Sequence, residues 1–220
     1  MRPIMSHKRV LYGYWRSSAT YRVRIALNLK HLAYEQHLIH LLNNGGEQHL
    51  PLFSSINPNE LVPVLIDGEV TLNQSLAIMD YLDEVYPQFP LIPKDLKSRY
   101  LVKALAQDIA VDIHPLNNLR VLQYLADDVG IETEQKQRWI QHWITQGFHA
   151  LEKNLASTAG AYSVGNSITL VDLCLVPQVY NAERFNVDVS TFPTIDRVVQ
   201  ALRSHPAFID AAPENQPDAN

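Results

Sequence analysis

Along the chain, apolar positions first recur in short runs and then, past residue 87, at helical spacing. Val10-Leu-Tyr-Gly-Tyr14 is short, apolar and aromatic, as a buried strand is, and Ser18 to Lys30 carries Val23, Ala26 and Leu27 at helical spacing. Tyr34 to Leu41 reads as a second, weaker strand, followed by a polar loop at Asn43-Asn-Gly-Gly46 and a short helix around Gln48 to Ser54. Val62-Pro-Val-Leu-Ile66 and Val70-Thr-Leu72 flank Asp67-Gly-Glu69, and Asp-Gly between two apolar runs predicts a tight antiparallel hairpin. Ser75 to Tyr86 closes the segment, with Leu76, Ile78, Met79 and Leu82 on one helical pattern. The predicted order is β-α-β-α-β-β-α.

Pro87, Pro90 and Pro93 then forbid a continuous helix and predict an extended linker over residues 88–96, separating a domain of residues 1–87 from one of residues 97–220. In the second part Leu101, Leu105, Ile109, Ile113 and Leu116 form one helical stripe, and Trp139, Ile140, Trp143, Ile144, Phe148, Leu151 and Leu155 form another. Pro115 should kink the first of these helices unless His114 ends it. Thr169-Leu-Val-Asp172, flanked by Ile168 and Leu173, reads as a capped helix start with an acid one carbon shorter than usual. The polar tail from Pro213 to Asn220 is expected to be loose. The expected fold class is therefore α/β followed by all-α.

Composition narrows the function. With 46% hydrophobic and 19% charged residues the chain has the make-up of a folded domain rather than a disordered one. Its net charge of −5, with no basic run, provides no footprint for a nucleic-acid backbone. No stretch approaches the roughly 18 apolar residues of a membrane span, and Met1-Arg-Pro-Ile-Met-Ser-His-Lys8 has no apolar export signal, so a cytoplasmic protein with no membrane partner is expected. Cys174 is the single cysteine, which excludes an intrachain disulfide, a cysteine-based zinc site and a Cys-x-x-Cys redox pair.

Three junctions carry candidate chemistry. Ser17-Ser18 lies where the first strand hands over to the first helix, presenting hydroxyls and amides at the positive end of a helix dipole; position alone leaves open whether Ser17 is an anion ligand or only an N-cap. Val62-Pro63 opens a strand, either as edge protection or as a cis peptide that bares the Val62 backbone. Gln74-Ser75 stands at the next strand-to-helix junction, where a carboxylate could be held.

Taken together, these features resemble the cytosolic glutathione transferases, whose fold joins a thioredoxin-like domain to an all-helical one. Ser17-Ser-Ala-Thr-Tyr-Arg-Val-Arg-Ile-Ala-Leu27 is similar to the zeta-class pattern Ser-Ser-Cys-x-x-Arg-Val-Arg-Ile-Ala-Leu. Asn57-Pro58, Val62-Pro63, Gln74-Ser-Leu-Ala-Ile78, Asp172-Leu-Cys-Leu-Val-Pro-Gln178 and Asn181-Ala-Glu-Arg-Phe185 extend the likeness from about Val10 to Pro217. The resemblance implies glutathione-dependent conversion of maleylacetoacetate to fumarylacetoacetate, a step of tyrosine and phenylalanine breakdown. Alternatives it leaves open are maleylpyruvate isomerisation, glutathione conjugation and non-catalytic binding.

The resemblance also implies residue roles. Ser17 would hydrogen-bond the glutathione sulfur, with Ser18, Ala19 and Arg22 beside it in the motif; Val62, next to Pro63, would pair with the cysteinyl part; Gln74 and Ser75 would hold the γ-glutamyl end; and Gln48 would lie near the glycyl end. Asp112-Ile-His-Pro-Leu-Asn-Asn-Leu-Arg120 resembles a ligand-contacting stretch, making His114, Asn118, Leu119 and Arg120 candidates. His114 is closer to the maleylpyruvate isomerases, and Leu119 tilts the choice back. Arg16 and Arg184 are the expected anchors for a dicarboxylate substrate, because a planar guanidinium suits a carboxylate. A homodimer is implied as well. Ala19 stands where the zeta pattern has cysteine, so the reacting sulfur is expected to be glutathione's own.

Overall fold

The computed structural model describes residues 8–219, so the export-signal reading at Met1 to His7 lies outside the described residues. Two compact units are present, one running through Phe89 and resuming at Pro206, the other spanning Pro90 to His205. The sequence reading carried the helical domain to residue 220; residues 206–219 instead pack with the first unit.

In the first unit the elements are β1 (Arg9–Gly13), α1 (Ser18–Leu29), β2 (Glu35–Leu38), α2 (Pro51–Ser54), β3 (Val64–Asp67), β4 (Val70–Asn73), α3 (Ser75–Val85) and, from the end of the chain, α9 (Pro206–Ala211). The sheet order is β2-β1-β3-β4. β1 runs parallel to β2 and antiparallel to β3, and β3 is antiparallel to β4. A parallel pair needs a crossover, which α1 supplies. Leu11, Val64 and Leu65 of the short apolar strands are buried, as are Ile25 and Ala26 of α1 and Ile78, Met79 and Leu82 of α3. The helix expected over Gln48 to Ser54 is split into a 3-10 turn at Glu47–His49 and the four-residue α2, because Pro51 starts a new helix at a first-turn position.

α1 is buried almost all round and packs against both α3 and α9. Its Arg24 explains why α9 stays: Nε donates to the Ala211 carbonyl at 3.0 Å. Asn28 Nδ2 reaches the Ala207 carbonyl at 3.1 Å, and the Tyr21 hydroxyl the Phe208 carbonyl at 3.3 Å. Where β1 ends, only a glycine fits: a Cβ on Gly13 would collide with the Thr20 methyl in the first turn of α1.

The second unit holds α4 (Leu96–Gln107), α5 (Leu119–Asp127), α6 (Thr133–Thr158), α7 (Leu170–Arg184) and α8 (Pro193–Arg203). The stripe predicted through Leu116 does not stay α-helical: it widens into a π-helical turn at Asp108–Ile113 and tightens into a 3-10 turn at His114–Asn117. Pro115 has no amide to continue the α pattern, and such turns break the ladder locally. Gly147 of α6 accommodates this turn, since a Cβ there would collide with Ile113. The start of α7 has the expected reciprocal cap: the Asp172 carboxylate accepts from the Thr169 amide at 2.7 Å and from the Ser163 amide at 2.9 Å. Burial holds its pKa above the ordinary value, against the opposing pull of those donors. Cys174, on the same helix, is fully buried.

Candidate active site

The register gathers residues that are distant in sequence. Tyr12 of β1 faces Val64 of β3, Val64 faces Asn73 of β4, and Gly13 faces Leu38 of β2. The end of β1, the start of β3, the end of β4 and the end of β2 therefore lie along one edge. From that edge leave the Tyr14–Ser17 loop, the Val62–Pro63 turn, the Gln74–Ser75 junction and the loop leading to Gln48.

Ser17 is the N-cap of α1, with its Oγ accepting from the Thr20 amide at 3.2 Å. Its own amide donates to the Tyr14 carbonyl at 3.0 Å. An acceptor role in the cap leaves the hydroxyl proton available to donate elsewhere, so the N-cap and anion-ligand readings are compatible. Ser18 is buried in the first turn and Ala19 is half-buried beside it. The Arg16 guanidinium lies over the Trp15 ring, 5.0 Å from its centroid. Arg22 is buried, and Nη1 donates to the Ser75 hydroxyl at 3.2 Å, tying α1 to the first residue of α3.

Gln74 precedes α3 at φ +67° and is exposed, a left-handed conformation that costs a non-glycine residue about 1–3 kcal/mol and is often found where a backbone is aimed at a ligand. The Val62–Pro63 peptide is cis, with Pro63 buried and Val62 half-buried. Gln48 is buried, its Nε2 donating to the Leu41 carbonyl at 3.4 Å and meeting His49 Nε2 at 3.0 Å. Its Oε1 has no hydrogen-bond partner among the described residues. Sequence reasoning missed two supporting residues: His49 Nδ1 lies 2.6 Å from a Glu60 carboxylate oxygen, so Glu60 orients the ring that meets Gln48. Glu60 lies eleven positions further on, and no periodic signal links the two.

The remaining candidates belong to the second unit. His114 Nε2 lies 3.5 Å from Asn118 Nδ2, and Asn118 caps α5 by accepting from the Arg120 amide at 3.2 Å. Leu119 opens α5 half-buried, and Arg120 is exposed. Arg184 ends α7, with Nη1 donating to Asn181 Oδ1 at 3.3 Å. Asn181 in turn donates to Asn117 Oδ1 at 2.8 Å, and Asn117 to the Ile113 carbonyl at 2.8 Å. This buried amide chain, also unseen in the sequence, ties Arg184 to the turn that carries His114. Nearby, burial and then the charge of Asp112 push the Asp108 carboxyl above its ordinary pKa.

Family profiles of the glutathione S-transferase N-terminal and C-terminal domains match residues 11–90 and 116–209. A Vibrio cholerae protein described as "Probable maleylacetoacetate isomerase" is 62% identical over 210 residues, covering 96% of this chain and 98% of its own length. The chain belongs to the zeta-class glutathione transferase and maleylacetoacetate isomerase family. Among solved zeta-class folds, a bacterial maleylpyruvate isomerase in holo form superposes with a TM-score of 0.93 at 43% identity, over 96% of this chain and 100% of the other. The maleylacetoacetate isomerase of Methylobacterium extorquens, solved with malonate and glutathione, gives 0.92 at 38% identity, over 96% and 99%. Within the family framework the first unit is the thioredoxin-like domain and the second the helical domain.

No helix among the described residues is long and apolar enough to cross a membrane. Nor do the described residues contain a group of three or more His, Cys, Asp or Glu side chains that could hold a metal ion.

Proposed function

We propose that this zeta-class transferase is a glutathione-dependent cis-trans isomerase acting on maleylacetoacetate. The observation that carries this reading is that the loops leading to Ser17, Val62, Gln74 and Gln48 leave one edge of the sheet, with Gln48 buried and its Oε1 without a partner among the described residues. Those groups fit glutathione: a hydroxyl at a helix N-terminus for its sulfur, a strand-opening backbone for its peptide, and polar side chains for its two ends. When bound, glutathione supplies a thiolate that adds to a conjugated cis double bond, allows rotation, and leaves.

The chain's own residues make that chemistry accessible at neutral pH. Ser17 accepts the Thr20 amide, which polarises its O–H toward an anion, and the dipole of α1 favours the same charge. Both effects act on a thiol whose unperturbed pKa is about 8.5, stabilising its ionised form. Ser18, Ala19 and Arg22 shape the first turn of α1, with Arg22 also fixing Ser75. Gln74 and Ser75 are assigned to the γ-glutamyl end, Val62 and Pro63 to the cysteinyl part, and Gln48 to the glycyl end. We assign Arg16 and Arg184 to the substrate carboxylates and His114, Asn118, Leu119 and Arg120 to ligand contacts. Residues through Phe89 with the returning C-terminal segment then form the glutathione-binding unit, and residues 90–205 the substrate-side unit.

Maleylpyruvate is the alternative substrate: the chain resembles the maleylpyruvate isomerases at His114, and Leu119 tilts the choice back. The deciding experiment follows isomerisation of both compounds with and without glutathione, using the parent chain, Ser17→Ala and Ser17→Gly. Glycine costs a helix N-cap only a few tenths of a kcal/mol and carries no side-chain donor, so stability and catalysis are separated. Both variants should lose about 10²-fold in kcat, the usual scale for removing one donor to a developing anion. Turnover without glutathione, or full activity in both variants, contradicts the reading.

The protein is further proposed to be a cytoplasmic homodimer. The resemblance to the glutathione transferases supports subunit association. A solution mass equal to one chain at working concentration would refute it.

A further inference from the structure

Residues 206–219 form a strap on the first unit rather than a loose tail. Beyond α9, Gln216 is buried, with Nε2 donating to the carbonyls of Asp210 and Ala212 at 2.9 and 2.8 Å. Its Oε1 accepts from Gln36 Nε2 of β2 at 3.0 Å, so the strap is fastened to the sheet. Two residues later, Asp218 Oδ2 accepts the Trp15 amide at 3.0 Å. The carbonyl of Trp15 is held from the other side by Arg24 Nη2 at 2.8 Å, and the Tyr14 carbonyl accepts Arg24 Nη1 at 3.5 Å. Both polar groups of Trp15's backbone are thereby engaged, one by the strap and one by α1, two residues before Ser17.

We propose that this strap is part of the catalytic apparatus and that Asp218 is a positioning residue. By holding the Trp15 amide it fixes the path of the Tyr14–Ser17 loop and therefore the direction of the Ser17 hydroxyl. Loop amides outside a ladder need a partner when buried, and a carboxylate is a stronger acceptor than a carbonyl. The proposal rests on the reading that Ser17 binds the glutathione thiol.

Position and charge predict opposite effects. Loss of positioning weakens thiolate binding and raises the thiol pKa; loss of a nearby negative charge lowers it. The experiment measures isomerisation across pH, together with the ultraviolet absorbance of the bound thiolate, for the parent, D218A, D218N, a chain ending at Asn215, and S17A.

D218A and the shortened chain should lose about tenfold in kcat/KM for glutathione at neutral pH, with the thiol pKa raised by about half a unit or more. D218N retains an acceptor and should stay within about twofold of the parent. A parent-like profile in D218A alongside an inactive S17A overturns the proposal and leaves the Ser17 reading intact. A thiol pKa that falls equally in D218A and D218N also overturns it, because charge would then be the cause. Full activity in S17A defeats the underlying reading instead, and the strap's catalytic role with it.

Discussion

At the scale of single residues, roles that looked like alternatives are compatible. Ser17 was legible as either a cap or an anion ligand; its oxygen caps α1 by accepting from Thr20, and that bond leaves its proton unused, so the cap does not exclude the second role. Cys174 was legible as a buried structural residue because it sits in an apolar helix, and its exposure of 0% agrees. Cys174→Ala should leave turnover within about twofold of the parent and lower stability by about 1 kcal/mol, the scale of a small core truncation. Steady-state kinetics and thermal unfolding of the variant check both parts; lost turnover in a folded variant would place the wrong sulfur at the centre. Glu60, Asn117, Asn181 and Asp218 were not legible. Each acts through a partner that only the folded chain brings within reach, and single polar residues in loops carry no period.

At the scale of elements, the strands and helices of the first unit followed from alternation, helical spacing and the Asp67-Gly68 turn, with boundaries shifted by up to three residues. The π-helical turn at Asp108–Ile113 did not, because its apolar positions still satisfy a helical stripe. The end of α1 shows how elements are joined. Lys30, with a fully buried side chain, donates to Asp83 at 2.8 Å and to the carbonyls of Tyr86, Gln88 and Phe89 at 2.9, 3.3 and 3.1 Å. One cation thus fastens α1 to the last turn of α3 and to the segment after it. Lys30→Met fills similar volume but takes the buried cation away from Asp83 and those carbonyls, so a loss of about 3–5 kcal/mol is expected in chemical denaturation. A loss below about 1 kcal/mol would mean that water replaces the lysine without penalty.

At the scale of the whole molecule, the proline cluster marked where the first run of strands ends, while the return of the chain to that unit left no signal in the hydrophobic pattern. α9 is too short for a clear period, and its hold depends on Arg24, whose buried guanidinium reads in sequence as an ordinary polar face. A chain ending at His205 should therefore lose hydrogen-exchange protection in α1 and β2 while α6 and α7 keep theirs. Equal loss in both units would show that they unfold as one cooperative body.

In topological terms, the helical unit is an insertion into a discontinuous first unit. During synthesis residues 90–205 leave the ribosome as a continuous stretch before the segment that completes the older unit has been made. The partner that Asp218 provides for Trp15 therefore arrives last. A nascent chain can build its sheet and its helical unit early, but the loop before Ser17 receives its final constraint only after residue 218 has been added.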